Sequence, residues 1–144
     1  MKRARDVMTA NPQCVTSDDS ITRAAEIMRD SNVGAVPVVE NHGTMRLTGV
    51  VTDRDIAVRV VAEGRSSDQI RAREVMSSRL STVSPEDDLD EVMDLMKREQ
   101  VRRIPVVEGD RLIGIIAQAD IASEGSSRKT GDVVEKISEP RRSR

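Results

Sequence analysis

Apolar positions along the chain follow two alternating periods. Ile21, Ala24, Ala25 and Met28 recur at helical spacing, as do Leu89, Val92, Met93 and Met96, and each set follows a run of Ser, Asp or Glu suited to a helix start. Both stripes read as core. After each helix come two short β-branched runs joined by a Gly-containing turn, 36–40 with 47–51 and 104–108 with 112–116, the pattern of a β-hairpin. A second helix follows each hairpin. In the first, Ile56, Ala57, Val60 and Val61 form the expected buried stripe and Gly64 is a natural C-terminal stop; in the second, the helix should end near Gly125.

These elements form an internal repeat. Val36-Pro37-Val38-Val39-Glu40 recurs 68 residues later as Ile104-Pro105-Val106-Val107-Glu108. The same offset relates Val7-Met8-Thr9 to Val75-Met76-Ser77, Asp18-Asp19 to Glu86-Asp87, and Met28 to Met96. Beyond the hairpin turn it shortens to 65, because residues 41–46 are replaced by the three residues 109–111. Each repeat reads β-α-β-β-α, an α/β (α+β) pattern. Repeat one is expected over 5–64, a polar linker over 65–74, repeat two over 75–124 and a polar tail over 125–144, with one short helix at 132–137. A unit of about 60 residues buries too little surface alone, so the two should pack as a pseudo-two-fold pair.

Composition narrows the function classes. With 144 residues, 37% apolar content and a formal charge of −2, the chain fits one ordinary domain or two small ones sharing a core. No run approaches the roughly 20 apolar residues needed to span a bilayer, and Met1 to Asp6 lacks the apolar segment of a secretory signal, so a cytoplasmic protein with no membrane role is expected. Cys14 is the only cysteine and reads as a small buried apolar side chain. His42 is the only histidine, expected in an exposed turn. No metal site, Ser/His/Asp set or other catalytic constellation is expected. The basic ends could touch nucleic acid, but near-neutral charge and the absence of Phe, Tyr and Trp argue against it.

One stretch carries candidate chemistry. Residues 47–56, Leu-Thr-Gly-Val-Val-Thr-Asp-Arg-Asp-Ile, read as a buried strand entering a helix through a polar corner. Gly49 marks a place where backbone or ligand approaches closely. Thr52 at the N-cap can accept a free amide hydrogen, and Asp53 and Asp55 favour the positive end of the helix dipole. The same geometry offers a phosphate site, because amides left over at a helix start point outward. A capping pair that only stabilises the helix explains these residues equally well at this point. The second corner, Gly114 to Asp120, keeps the Gly and the Asp but has Ala117 in place of Thr52. One competent site and one weakened site are therefore expected.

The repeated x-Pro-Val-Val-Glu strand and Gly-h-h-Thr-x-x-Asp corner (h, apolar) resemble a tandem pair of cystathionine-β-synthase (CBS) domains, over residues 5–122. Asp6-Val7-Met8, Thr52 to Ile56 and Gln100 to Pro105 make the chain similar to small stand-alone two-CBS proteins of the hypoxic response type. The resemblance implies a non-enzymatic regulatory module that binds AMP, ADP, ATP or S-adenosylmethionine in clefts between repeats, with no other cofactor. Carried over, Asp55 would accept from the ribose hydroxyls, Thr52 would meet phosphate or ribose, and backbone around Thr16, Val36 and Val38 would read the adenine edge. Arg102 and Arg103 would contact phosphate, where the first repeat has Gly34 and Ala35, and Asp120 would be the counterpart of Asp55. A homodimer and an unidentified protein partner are implied as well. The alternative is a ligand-independent interaction or stress-response protein with a degenerate site.

Overall fold

The computed structural model describes residues 2–124. The expected end of the last helix at Gly125, the polar tail and its short helix lie outside these residues. The elements run α1 (Ala4–Val7), β1 (Thr9–Ala10), β2 (Val15–Thr16), α2 (Ile21–Ser31), β3 (Ala35–Val39), β4 (Leu47–Thr52), α3 (Asp53–Ile56), α4 (Ala72–Val75), α5 (Leu89–Glu99), β5 (Arg103–Glu108), β6 (Arg111–Ala117) and α6 (Gln118–Glu124). α3 continues into a π-helical turn over Ala57–Val61, and a 3₁₀ turn spans Ser67–Gln69.

The chain divides into two compact units, residues 13–80 and residues 2–12 with 81–124. In the first, β3 is central, with β2 parallel on one side and β4 antiparallel on the other. In the second, β6 is central, between β1 and β5. Their cores are aliphatic, as a chain without aromatic residues requires. Val15, Ile21, Ala24, Ile27, Val36, Val38, Val51 and Val60 fill one; Leu89, Val92, Met93, Met96, Ile104, Val106 and Ile116 fill the other.

The division does not follow the repeats, since the segment opening each repeat docks on the other repeat's unit. α1 places Ala4 and Val7 in the core of the second unit, with Ala4 N–H donating to Asp87 C=O at 2.8 Å. Its counterpart α4 places Ala72 and Val75 in the core of the first, with Ala72 N–H donating to Asp19 C=O at 2.8 Å. Thr9 opposes Ile115 on β6, and Ser77 opposes Val50 on β4. The stretch expected as a linker therefore carries core side chains, Ile70 and Ala72, which its polar composition conceals.

Both hairpins form where expected. The second turns in the two residues Gly109-Asp110, with Gly109 at φ 66°, and leaves Arg111 in β6 opposite Glu108. The α5 stripe buries all four expected residues, whereas α2 buries Ile21, Ala24 and Ile27 and leaves Ala25 and Met28 half-buried. The helix after β4 departs from its expected stripe. Val60 is buried and Ile56 half-buried, but Ala57 is exposed and Val61 is 70% exposed. Ile56 and Val60, four apart, face inward, while Ala57 and Val61 lie on the adjoining exposed side; a π turn follows Ile56, with Ala62 N–H donating to Ala57 C=O at 2.9 Å, five residues back. Gly64, at φ 68°, ends the turn as expected.

Candidate functional site

The corner between β4 and α3 is built as the pattern of Thr and Asp requires. Asp55 N–H donates to Thr52 Oγ1 at 3.1 Å, and Thr52 N–H donates to Asp55 Oδ2 at 3.0 Å, a reciprocal capping box. Asp53 N–H donates to Gly34 C=O at 2.9 Å, which pins the start of α3 to the strand entering β3. Thr52 and Asp55 are both half-buried. Among the described residues, Asp55 Oδ1 accepts from no protein donor, and the Thr52 hydroxyl hydrogen has no protein acceptor. A carboxylate oxygen and a hydroxyl donor therefore stand side by side at one half-buried point.

The other expected residues of this repeat take up different places. Thr16 ends β2, and both its backbone polar groups are occupied by one residue: its N–H donates to Asp19 Oδ2 at 2.8 Å and its C=O accepts from Asp19 N–H at 3.1 Å. Asp19 is thus a determinant that reading outward from the corner missed, although its recurrence as Asp87 was a usable signal; Ser84 N–H donates to Asp87 Oδ2 at 2.9 Å. Val36 and Val38 are buried in β3, paired with Val51 and Gly49. β2 reaches only Val38 and Val39, so β3 runs past its end toward Ala35 without a strand on that side. Cys14, expected as a buried apolar side chain, is half-buried; burial, then the carboxylate of Asp19, pushes its thiol above the ordinary value and keeps it protonated.

The second corner keeps half of the device. Ala117 N–H donates to Asp120 Oδ2 at 3.0 Å, and Gln118 N–H donates to Arg102 C=O at 2.8 Å, matching Asp53 with Gly34. Ala117 has no hydroxyl to return the bond. Arg102 is exposed and Arg103 half-buried at the start of β5; among the described residues neither guanidinium is committed to an ion pair or hydrogen bond. Among the described residues no three His, Cys, Asp or Glu side chains gather as a metal site would need, and no helix is long and apolar enough to cross a membrane. His42 is exposed in the 41–46 turn.

The CBS-domain family model matches residues 4–62 and again 72–127. The chain belongs to the CBS-domain family. It carries two such domains in the α+β tandem fold, and CBS pairs are regulatory modules. Over 139 residues it is 39% identical to the CBS domain-containing protein YhcV of Bacillus subtilis, covering 96% of each chain. It is 37% identical over 122 residues to Hypoxic response protein 1 of Mycobacterium tuberculosis, covering 85% of this chain and 84% of that one. A crystal structure of Hypoxic Response Protein I, with two coordinated zinc ions, superposes with a TM-score of 0.78 at 35% identity, over 87% of this chain and all of the other. The zinc is a property of that protein. CBSX2, crystallised with AMP, superposes with a TM-score of 0.73 over 85% of this CBS pair and 95% of its own chain; at 22% identity the likeness is one of fold.

Proposed function

We propose that this CBS pair is a regulatory module whose first repeat holds an adenosine-containing ligand (AMP, ADP, ATP or S-adenosylmethionine) at the Thr52–Asp55 corner. One observation carries the proposal. The capping box uses Asp55 Oδ2 and an acceptor position of Thr52 Oγ1, and leaves Asp55 Oδ1 and the Thr52 hydroxyl hydrogen without protein partners among the described residues. A carboxylate suits a vicinal diol because it offers several lone pairs and no competing donor. The Thr52 hydroxyl can donate to a ribose or phosphate oxygen in the same ligand. Aliphatic side chains and the backbone around Thr16, Val36 and Val38 serve the base, with the polar groups of Thr16 itself held by Asp19. Arg102 and Arg103, with no ion pair or hydrogen bond from either guanidinium among the described residues, are the phosphate-binding candidates that the family resemblance implies, since guanidinium groups grip phosphate bidentately. CBSX2, of the same fold, holds AMP.

In this reading the protein acts in the cytoplasm, catalyses nothing, and passes a ligand-induced population shift to a protein partner. It does so as a homodimer, for which Val58 and Val61, 46% and 70% exposed on the helix after β4, supply apolar surface. Asp120 forms the weaker counterpart corner because Ala117 brings no hydroxyl.

A second reading has its own observation. The capping box is complete without any ligand, so Thr52 and Asp55 are also explained as helix-stabilising residues of a ligand-independent interaction protein. Calorimetric titration with the four ligands separates the two, on the wild type and on Asp55→Ala. Saturable binding near one site per chain, lost in the variant while the fold persists by circular dichroism, is the expected result. Silence with every ligand on folded wild-type protein leaves the ligand-independent reading.

A further inference from the structure

The helix that begins at the ligand corner also touches the segment leading into the second repeat. Arg59, in the π turn, donates from Nη1 to Val75 C=O at 3.0 Å. Val75 is the last residue of α4, and its carbonyl is among those a helix end leaves without an internal donor.

The same segment is tied to the strand on the other side of the corner. Ser77 and Val50 exchange two backbone hydrogen bonds, Val50 N–H to Ser77 C=O at 3.0 Å and Ser77 N–H to Val50 C=O at 2.9 Å. Val50 stands two residues before Thr52 on β4. Residues 72–77 thus contact both elements that flank Thr52 and Asp55: the strand through Ser77, the helix through Arg59. Beyond Ser77 only 78–80 remain before the chain enters the second unit.

The repeats differ at this position. Along the 65-residue offset, Arg59 corresponds to Glu124, whose carboxylate cannot donate to a carbonyl when ionised. The repeat that lacks the corner hydroxyl also has no cation at that position. In the first repeat the complete corner and the Arg59 contact to the connecting segment occur together.

We propose that Arg59 is a positioning residue that couples occupancy of the Thr52–Asp55 corner to α4 and the chain entering the second repeat. This rests on ligand binding at that corner. A ligand drawn to Asp55 and Thr52 shifts the start of the helix, the π turn moves with it, and the Arg59 bond transmits the shift to Val75. It biases the segment only as far as the ligand prefers one arrangement over the other.

The test is hydrogen exchange on the full chain, with and without AMP and ATP, in wild type, Arg59→Met and Arg59→Lys. Arg59→Met keeps the stem and deletes the donor; Arg59→Lys keeps a cation that can still donate. In wild type, nucleotide should slow exchange at residues 52–56 and also at Val75, Met76 and Ser77. In Arg59→Met, affinity should stay within about twofold, below the roughly 5–150-fold range of ordinary coupling effects, and protection at 52–56 should persist. Protection at Val75 to Ser77 should be lost, and Arg59→Lys should restore part of it. Equal nucleotide-induced protection of Val75 to Ser77 in wild type and Arg59→Met would overturn the coupling role while leaving binding intact. Faster exchange throughout residues 13–80 in both variants would make Arg59 a structural residue only. No protection at 52–56 in wild type with either nucleotide, and no calorimetric binding, would remove the ligand reading and the coupling with it.

Discussion

Thr52 and Asp55 bond to each other twice, each backbone amide donating to the other's side chain, at 3.1 and 3.0 Å. In the second repeat Ala117 N–H donates one such bond to the Asp120 carboxylate, and the Ala117 side chain has no oxygen to accept one in return. The pair is therefore an internal comparison of a whole capping box with half of one. Thr52→Ala should lower unfolding stability by about 1 kcal/mol, the usual worth of a side-chain N-cap. Ala117→Thr should raise it by a similar or smaller amount, by supplying the acceptor that Thr52 supplies. Urea unfolding at neutral pH measures both; a stabilising Thr52→Ala would show that the first corner is strained and not capped.

Gly49 and Gly114 leave no room for a side chain. A Cβ at Gly49 would lie 2.9 Å from the backbone oxygen of Ser77 and 2.5 Å from Met76 Sδ; at Gly114 it would lie 3.1 Å from the Thr9 oxygen and 2.5 Å from Met8 Sδ. Methionine can yield, but a paired strand cannot move alone. Gly49→Ala should therefore destabilise by roughly 1–3 kcal/mol, the range for overpacking, and more than Gly114→Ala. Adding Met76→Ala should recover only part of the loss, because the Ser77 contact remains. Full recovery in the double variant would place the whole conflict on the methionine.

Acid should act on α4 through Glu74. Its carboxylate accepts from Arg71 N–H at 2.7 Å, and that bond, with the nearby Arg65 and Arg73 guanidiniums, holds its pKa below the usual glutamate value. The folded state thus favours the ionised form. The contribution is fully present above the unfolded pKa of about 4.3 and is lost as pH falls through the lower folded value. Glu74→Gln should lower stability at pH 7, where the contribution is fully present, and flatten the fall below about pH 4.3, the reference value, so that wild type and variant converge in acid. Parallel pH profiles for wild type and variant would contradict this.

Much of this was legible in the sequence because the repeat reads everything twice. The hairpins, the helix stripes and the difference between Thr52 and Ala117 all follow from aligning the repeats, 68 residues apart before the hairpin turn and 65 after it. Gly49 could be read as a point of close approach, and Ser77 is what approaches. Three features were hidden. The exchange of opening segments depends on pairing across long separations, and neither Ile70 and Ala72 within a polar stretch nor Thr9 opposite Ile115 announces it. The narrower buried face of the helix after β4, which leaves Ala57 and Val61 outside, and the π turn within it carry no signature in the apolar spacing. Arg59 looked like one charge among many, since its partner is a backbone carbonyl and carries no residue signature.

The central claim is that an adenosine ligand is held by the first corner and not equally by the second. Amide resonances of isotopically labelled protein, followed during titration with AMP and then ATP, test it most directly. The account predicts saturable shifts at residues 52–56, with smaller or later shifts at 117–121, and none at 52–56 in Asp55→Ala. Equal shifts at both corners with one dissociation constant, or shifts that bypass 52–56 altogether, would contradict it.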